Sequence, residues 1–214
     1  RTRIHAPGWN ETISGSAGYT PGFLWYGVSI VKKTSQSWFL LILLPATIFG
    51  KDIFLTRSGN IEFFSTTPLE DIRAINKQVT CVLNIETGEV AFQVPIRGFM
   101  FKNALMQEHF NENYMESDQF PKAVFKGRID NWSNDTITDT ALSVSLSGSL
   151  TVHGVAKDIR ESGQIWQEGA LIKGTSVFDI RVADYGIDIP RVVRNNIAKT
   201  VSVDVSVQMK KRQQ

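Results

Sequence analysis

The chain has 214 residues, of which 42% are hydrophobic and 21% are charged, a composition typical of a globular protein with one domain as the default. Residues 1–50 contain four of the 23 basic residues and one of the 21 acidic residues, which leaves 19 basic and 20 acidic residues in 51–214. This near-neutral balance excludes a strongly basic surface, so we expect no nucleic acid partner. The single cysteine, Cys81, excludes an internal disulfide and a cysteine-based metal cluster, and its alternation with apolar neighbours predicts a small buried side chain.

The first fifty residues divide into two segments. Residues 1–30 are rich in Gly, Ser, Thr and aromatic residues without periodicity, so we assign them to no domain and expect a disordered leader. In residues 31–50, two lysines precede an apolar run from Trp38 to Phe49, which is typical of a secretory signal peptide. The run is shorter than the roughly 20 residues of a membrane-spanning helix. A buried strand or helix is the alternative, and Pro45 counts against it. We therefore predict a periplasmic or secreted protein whose mature domain is 51–214.

The most informative stretch runs from Glu89 to Asp130. It begins with apolar residues at every second position, which predicts a half-buried strand. The period then changes to helical spacing after Asn103, a plausible N-cap, and alternation returns from Ala123 onward. The strand-like positions are Val90, Phe92, Val94, Ile96 and later Ala123, Phe125, Gly127, Ile129, and the helical ones are Leu105, Met106, His109 and Phe110. A lone short amphipathic helix of this kind covers an opening of a curved sheet, where we expect a pocket.

The remaining segments alternate as strands. Ile61 and Phe63 begin one strand, Leu69 to Ile75 is predicted to form a helical turn, and a hairpin is expected at Thr87-Gly88. Further strands are predicted at 79–86, 142–152, 172–180 and 197–209, with a polar loop at 130–139 and a frayed tail at 210–212. About eight antiparallel strands predict an all-β barrel or sandwich.

The apolar inward positions leave two interpretations open. An eight-stranded barrel is wide enough to hold one small ligand, and a lining of Phe, Leu, Ile and Val suits an apolar ligand. The same lining also suits a solid core, and the pattern alone favours the core.

A resemblance adds to this reading. Over residues 54–209 the sequence resembles the YceI-like family, bacterial secreted proteins with a lipocalin-like barrel that bind polyisoprenoid chains. It departs from the family at Asp158–Gly163, where we expect a short or irregular sixth strand. The segments that carry the resemblance are Ile61-Glu62-Phe63, Ile85 to Val90, Val94 to Phe101, Asn113 to Glu116, Gln119 to Phe125, Gly148 to Val155, Phe178 to Ile180 and Ala183 to Ile187.

The resemblance implies a long amphipathic lipid, a polyisoprenoid or a quinone with such a tail, inside the barrel. A head group would need polar partners near the mouth, and Arg97, Asn103, Glu108 and His109 are candidates. For His109 the alternative is packing between helix and sheet, and for His153 we expect an outward position with a hydrogen bond that stabilises a turn. The predicted lipid-binding residues are Phe63, Leu83, Phe92, Val94, Ile96, Phe99, Phe101, Leu105, Met106, His109, Phe125, Leu146, Phe178 and Ile180.

We predict no enzyme and no metal site. The sequence has no HExxH, no GxSxG and no phosphate-binding loop, and Glu108 and His109 are adjacent helical residues that do not face each other. The alternative function is a secreted protein-interaction module with a filled barrel core, for which Trp132 and Trp166 offer exposed aromatic rings. Trp132 is expected to fold back onto its own hairpin instead. Transient membrane contact and a homodimer are further predictions for partners.

Overall fold

The computed structural model describes residues 52–133, 137–191, 195 and 197–213. The leader and the signal-like segment predicted in residues 1–50 lie outside the described residues. The strands are β1 Ile53–Thr66, β2 Asp71–Asn84, β3 Glu89–Pro95, β4 Phe99–Phe101, β5 Lys122–Ile129, β6 Leu142–Val152, β7 Val155–Glu168, β8 Leu171–Arg181 and β9 Thr200–Lys211.

Eight of these strands form a closed antiparallel barrel in the order β1-β9-β8-β7-β6-β5-β3-β2, and β2 pairs with β1 to close it. The three-residue strand β4 pairs with β2 at Ala74–Asn76, and the same β2 residues pair with β1 on their other side. The predicted all-β barrel of about eight strands with one short helix is therefore confirmed. Closure leaves each of the eight strands with two neighbours, so the inner face is lined from every side.

In the described part of the chain, the short helix α1 (Ala104–His109) begins where the sequence predicts it. The Asn103 side chain accepts a hydrogen bond from the backbone N–H of Leu105 at 2.9 Å, which satisfies one of the free donors of the first turn. The helix continues as a π-helical turn at Phe110–Tyr114, and no helix among the described residues is long and apolar enough to cross a membrane. Together α1 and this turn cover one end of the barrel.

The paired glycines Gly127 and Gly148 explain the tight coil of β5 against β6. A Cβ added at Gly148 would lie 2.4 Å from the Cα of Gly127, a distance that no side chain tolerates. The two residues are register partners within an unbroken ladder. Their missing side chains thus permit close approach of the two strands rather than a bulge.

Three predictions of local structure are wrong. Leu69–Ile75 is not a helical turn, because Thr67 accepts the N–H of Glu70 at 3.1 Å in a tight turn and β2 starts at Asp71. The tail is not frayed, because Lys210 pairs with Leu55 and the Lys211 ammonium lies 2.8 Å from the Asp52 carboxylate.

The third wrong prediction concerns the sixth barrel strand along the chain, β7, which is neither short nor irregular. Strand β7 has 14 residues and pairs with β6 from Val152↔Val155 to Leu142↔Ile165 without a break. The charged residues in Asp158–Gly163 led to the wrong prediction, because charged side chains can occupy both faces of a strand wherever both faces reach water.

The two strands β7 and β8 separate along part of their length. Their pairing runs from Glu168↔Leu171 to Gly163↔Ser176, where the Ser176 hydroxyl donates to the Ser162 carbonyl at 2.6 Å. Beyond this point β7 stays on β6, and β8 stays on β9. The 3-10 turn Val182–Tyr185 packs against both strands there, and Tyr185 is buried. In this part of the wall, β7 and β8 are not joined by a backbone ladder.

Candidate functional site

A cavity of about 370 Å³ lies at the helix-covered end of the barrel. Its walls come from the C-terminal halves of β1, β3, β6 and β8, the N-terminal halves of β2, β5 and β9, and the helical segment 104–114. The volume falls within the roughly 300–1,000 Å³ that is usual for small-molecule sites. The helix end therefore holds space for a ligand.

One wall of the cavity is a cluster of four phenylalanines. The Phe63 ring lies 5.4 Å from Phe99, 5.7 Å from Phe101 and 5.4 Å from Phe110, measured between ring centroids. Phe101 and Phe110 lie 4.9 Å apart. Edge-on and stacked ring contacts of this kind fix the geometry of the rings. They attach the helical segment to β1 and β4 and give the cavity a defined wall.

The opposite wall is aliphatic, and sequence reasoning missed part of it. Ile187, Ile189 and Ile197 belong to the connection between β8 and β9, which carries no regular alternation over its full length. The spacing of two between Ile187 and Ile189 was the available signal. Further lining residues outside the predicted set are Ile61, Ile72, Met115, Ala123, Leu150, Val152, Val182, Val201 and Val203.

The polar side chains of the cavity lining are few. They are Ser65, Glu70, His109 and Tyr114. Ser65 is buried, and its hydroxyl accepts a hydrogen bond from the backbone N–H of Ala198 at 3.0 Å, so it serves the fold. Burial raises the pKa of the Tyr114 hydroxyl, which keeps that group neutral through physiological pH. The lining can hold an apolar chain and offers polar atoms at only a few points.

Nine of the fourteen predicted site residues line this cavity: Phe63, Val94, Ile96, Phe99, Phe101, Met106, His109, Phe178 and Ile180. Three others, Leu83, Phe92 and Leu146, line a second cavity of about 50 Å³ nearer the other end of the barrel. Phe125 is buried and lines neither of the two. The prediction of Leu105 as a lipid-binding residue is corrected, because its side chain is 56% exposed and points away from the barrel. The structure thus brings most, but not all, of the predicted set together.

The candidates for head-group binding are largely engaged elsewhere. Arg97 forms an ion pair with Asp118 and donates to the Ser117 hydroxyl at 3.3 Å, and it does not line the cavity. Asn103 caps α1, and Glu108 is exposed outside the lining. His109 alone lines the cavity, and it is exposed rather than packed between helix and sheet. The structure therefore leaves His109 as the candidate from this group.

Two expectations about side chains near the barrel ends are wrong. The His153 side chain is 11% exposed rather than outward, and its Nε2 lies 2.8 Å from a carboxylate oxygen of Glu116 while Nδ1 lies 3.3 Å from the Tyr185 carbonyl. Its hydrogen bonds join three segments at the cavity end. Trp132 donates from its indole N–H to the Ile85 carbonyl at 2.7 Å, so it folds onto the neighbouring β2–β3 hairpin, not its own.

Cys81 is buried, as its alternation predicts, with 0% exposure and its sulfur 3.5 Å from that of Met209. Burial raises the pKa of its thiol to about 12. The thiolate is the nucleophilic form of cysteine, so this thiol stays protonated at neutral pH. No cluster of three or more His, Cys, Asp or Glu side chains able to hold a metal ion occurs in the part of the chain that the structure describes.

Known proteins are similar to this chain in sequence pattern and in fold. The model of a family described as the YceI-like domain matches residues 56–209. The structure is similar to a polyisoprenoid binding domain from Saccharophagus degradans implicated in plant cell wall breakdown, with a TM-score of 0.67 and 16% identity over 75% of this chain and 99% of that chain. No curated protein matches the chain.

Two further solved structures share the architecture. BcnA from Burkholderia cenocepacia gives a TM-score of 0.60 and 13% identity over 72% of this chain and 96% of that chain. A YceI protein from Campylobacter jejuni gives a TM-score of 0.52 and 14% identity over 64% of this chain and 84% of that chain. Identities this low show a common fold and carry no residue roles.

Proposed function

The chain belongs to the YceI-like domain family, and from that premise we propose that it holds a polyisoprenoid or similar long-chain amphipathic lipid in the cavity at the helix end, without catalysing a reaction on it. The observation that carries the proposal is the cavity of about 370 Å³ with an almost wholly apolar lining. The polyisoprenoid binding domain of Saccharophagus degradans has the same fold, which supports this choice of ligand.

The energetics favour an apolar chain. Each CH₂ group moved from water into such a cavity gains about 0.8 kcal/mol, and a preformed site avoids the cost of ordering its walls. Discrimination then depends on the length and shape of the chain. Polar atoms of a head group find partners only where the lining is polar, at Glu70, His109 and Tyr114. We place the head group there, at the edge of the cavity.

Binding without turnover accords with the chemistry of the lining. Nucleophilic catalysis needs a nucleophile within hydrogen-bond reach of a base. The Ser65 hydroxyl in this cavity accepts from a backbone N–H, and the Cys81 thiol is protonated and remote, in the second cavity. The alternative function, an interaction module with a filled barrel, is disfavoured by the space at the helix end.

We further propose a periplasmic or secreted location, for which the signal-like pattern in residues 31–50 is the support.

Transient membrane contact is proposed through Leu69, Met100 and Leu105, which are 67%, 65% and 56% exposed. Each is next in sequence to a lining residue of the cavity, so a bilayer touching them would face the space that receives the lipid. Vesicle flotation tests this proposal: Leu105→Asp should weaken binding, whereas Val177→Asp, at an exposed position on β8, should leave it unchanged. The predicted homodimer stays a prediction.

Native mass spectrometry of the full chain, purified without detergent, tests the lipid proposal. We expect a discrete added mass that matches an isoprenoid in an organic extract of the same sample. A matched pair of variants locates the ligand: Ile180→Gln places an amide in the cavity wall, and Val177→Gln places it on the outer face of the same strand. The first should lower occupancy and the second should not.

The result that overturns the proposal is an apo mass that persists after incubation with prenyl alcohols, prenyl phosphates and quinones. Equal occupancy in the folded Ile180→Gln and Val177→Gln proteins would show that the ligand lies elsewhere. The same spectra report whether the protein is a monomer or a dimer.

A further inference from the structure

We infer that the aromatic pair Phe92 and Phe125 divides the barrel interior and sets the length of the chain that the protein accepts, with the second cavity as the site for the tail end of a longer chain. This inference rests on the proposed function. It assigns a role to two of the five predicted site residues that lie outside the main cavity.

The two cavities are separate spaces along one barrel. Their linings have no residue in common. On β3 the boundary falls between Val94, in the first cavity, and Phe92, in the second. On β9 it falls between Val203 and Val205. Because these residues are consecutive inward positions of their strands, the boundary is a thin layer across the barrel.

Two phenylalanine rings lie at this level of the barrel. Phe92 and Phe125 are register partners on β3 and β5, and their ring centroids lie 6.3 Å apart at an angle of 57°. Phe125 is 9% exposed. Cross-strand aromatic pairs on one face of a sheet pack against each other in this way.

Neighbouring glycines make room for the divide. The Cζ atom of Phe125 lies 2.6 Å from the position that a Cβ of Gly127 would take, so the ring covers the space left by that glycine. Gly148 lies directly opposite Gly127 and adds no side chain either. The ring of Phe125, the preceding inward residue of β5, therefore fills the volume that the two glycines leave. Neither glycine has a side chain that could replace this ring.

The consequence concerns chain length. An apolar tail that enters at the helix end fills the first cavity and meets the two rings. A longer tail that continues from the first cavity along the barrel must pass these rings to reach the second cavity, of about 50 Å³ and lined by Leu83, Val90 and Leu146 among others. Shortening Phe92 joins the two spaces and moves the limit to longer chains.

The test measures binding of prenyl alcohols of increasing length to the full-length protein, by displacement of a fluorescent fatty-acid probe. We compare wild type, Phe92→Ala and the milder Phe92→Leu, which keeps the proposal testable should the alanine variant unfold. The matched control is Phe64→Ala, the same substitution at a 42% exposed position of β1 that lines neither cavity. Thermal denaturation verifies that each variant is folded.

We expect the longest chain that wild type binds at full affinity to be exceeded by at least one isoprene unit in Phe92→Ala, with about a tenfold tighter Kd for that longer chain. Phe92→Leu should shift the limit in the same direction by less, and Phe64→Ala should leave it in place. An unchanged length profile in both folded Phe92 variants would overturn the inference alone, as would an equal shift in Phe64→Ala. Failure of wild type to bind any prenyl chain would overturn the proposed function and this inference together.

Discussion

At one end of the barrel Cys81, Leu83 and Met209 are packed to 0%, 1% and 2% exposure, whereas at the helix end Phe63, Phe178 and Ile180 stay partly exposed around a cavity of about 370 Å³. Both sets of side chains come from the same kind of alternating strand, and several come from the same strands. The difference between the ends is therefore not a difference in the strand pattern.

The connections between strands account for the contrast. At the packed end, β2 joins β3 through residues 85–88 and β7 joins β8 through residues 169–170, and Trp132, from the longer β5–β6 connection, folds onto the first of these turns. At the helix end, residues 96–121 separate β3 from β5 and residues 182–199 separate β8 from β9, and described residues of both segments, such as Phe110 and Ile187, line the cavity. A covering of this kind is held at its edges by ring contacts and hydrogen bonds, so side chains of the strands need not fill the space beneath it. The comparison teaches that one barrel can combine an end with a small cavity of about 50 Å³, here called the solid half, and an end with a cavity of about 370 Å³, the hollow half.

The largest expected effect is on stability, at the packed end. Leu83→Ala removes a fully buried side chain from the lining of the small second cavity, and we expect it to lower the free energy of unfolding by about 2–5 kcal/mol. Lipid affinity of the folded protein should be unchanged, because Leu83 lies beyond the divide. Urea denaturation and ligand titration measure the two quantities.

Ile180→Ala at the helix end is the matched comparison for this variant. It enlarges an existing cavity, so we expect a smaller loss of stability and a clear loss of affinity. If Leu83→Ala weakened lipid binding by the folded protein as much as Ile180→Ala, the separation into solid and hollow halves would be wrong.

A second prediction fills the hollow half. Phe178→Trp places a larger ring in the cavity wall, and we expect lipid affinity to fall by at least about tenfold, or about 1.4 kcal/mol, with the melting temperature close to that of wild type. Phe64→Trp is the control, because Phe64 is 42% exposed on β1 and the same change there adds nothing to the cavity. Unchanged lipid occupancy in folded Phe178→Trp would contradict the assigned wall.

A third prediction compares one hydrogen-bonding side chain at each end. His153→Asn retains a residue that tolerates its positive φ of 50° but loses the contacts to Glu116 and Tyr185. Trp132→Phe loses the bond to the Ile85 carbonyl. Each should cost about 1 kcal/mol of stability. Only His153→Asn should also speed lipid dissociation, measured by stopped-flow exchange, because it loosens segments that cover the cavity. Equal dissociation rates would show that these segments do not gate the ligand.

The sequence carried enough information for the strand framework and the position of the helix. Alternation in period two is interrupted once by helical spacing, and Asn103 supplies a recognisable cap, so the segment from Glu89 to Asp130 could be placed correctly. Closure into a barrel followed from the strand number and the resemblance.

Depth inside the barrel could not be predicted. Alternation shows which face a residue occupies, but Phe92 and Phe178 have the same inward pattern, and only the first lies at the divide. Leu105 sits at helical spacing beside Met106, yet a helix of six residues that passes into a π-helical turn presents only part of that face to the barrel. The isoleucines of the β8–β9 connection were missed because their wall is formed by a loop.

The smallest predicted effect is a pH dependence of opposite sign for two glutamates of β7. Burial, with a contribution from Asp179, raises the pKa of Glu161, which lies where β7 has left β8. Its carboxyl therefore retains its proton in the folded state at pH values where the unfolded chain has lost it, and stability falls as pH rises through this window above the ordinary carboxyl value. Glu161→Gln should remove this loss and raise the melting temperature slightly at neutral pH.

Glu168, at the hairpin of the packed end, provides the opposite case. A hydrogen bond from Lys173 lowers the pKa of Glu168, so its contribution to stability is present above the ordinary carboxyl pKa and disappears as pH falls through the lowered value. Glu168→Gln should therefore lower the melting temperature slightly at neutral pH and have no effect in strong acid. Melting curves of both variants and wild type between about pH 3 and about pH 8 span the ordinary carboxyl range. Shifts of the same sign would mean that Glu161 is as well solvated as Glu168, and that the separation of β7 from β8 does not place Glu161 in a less polar environment.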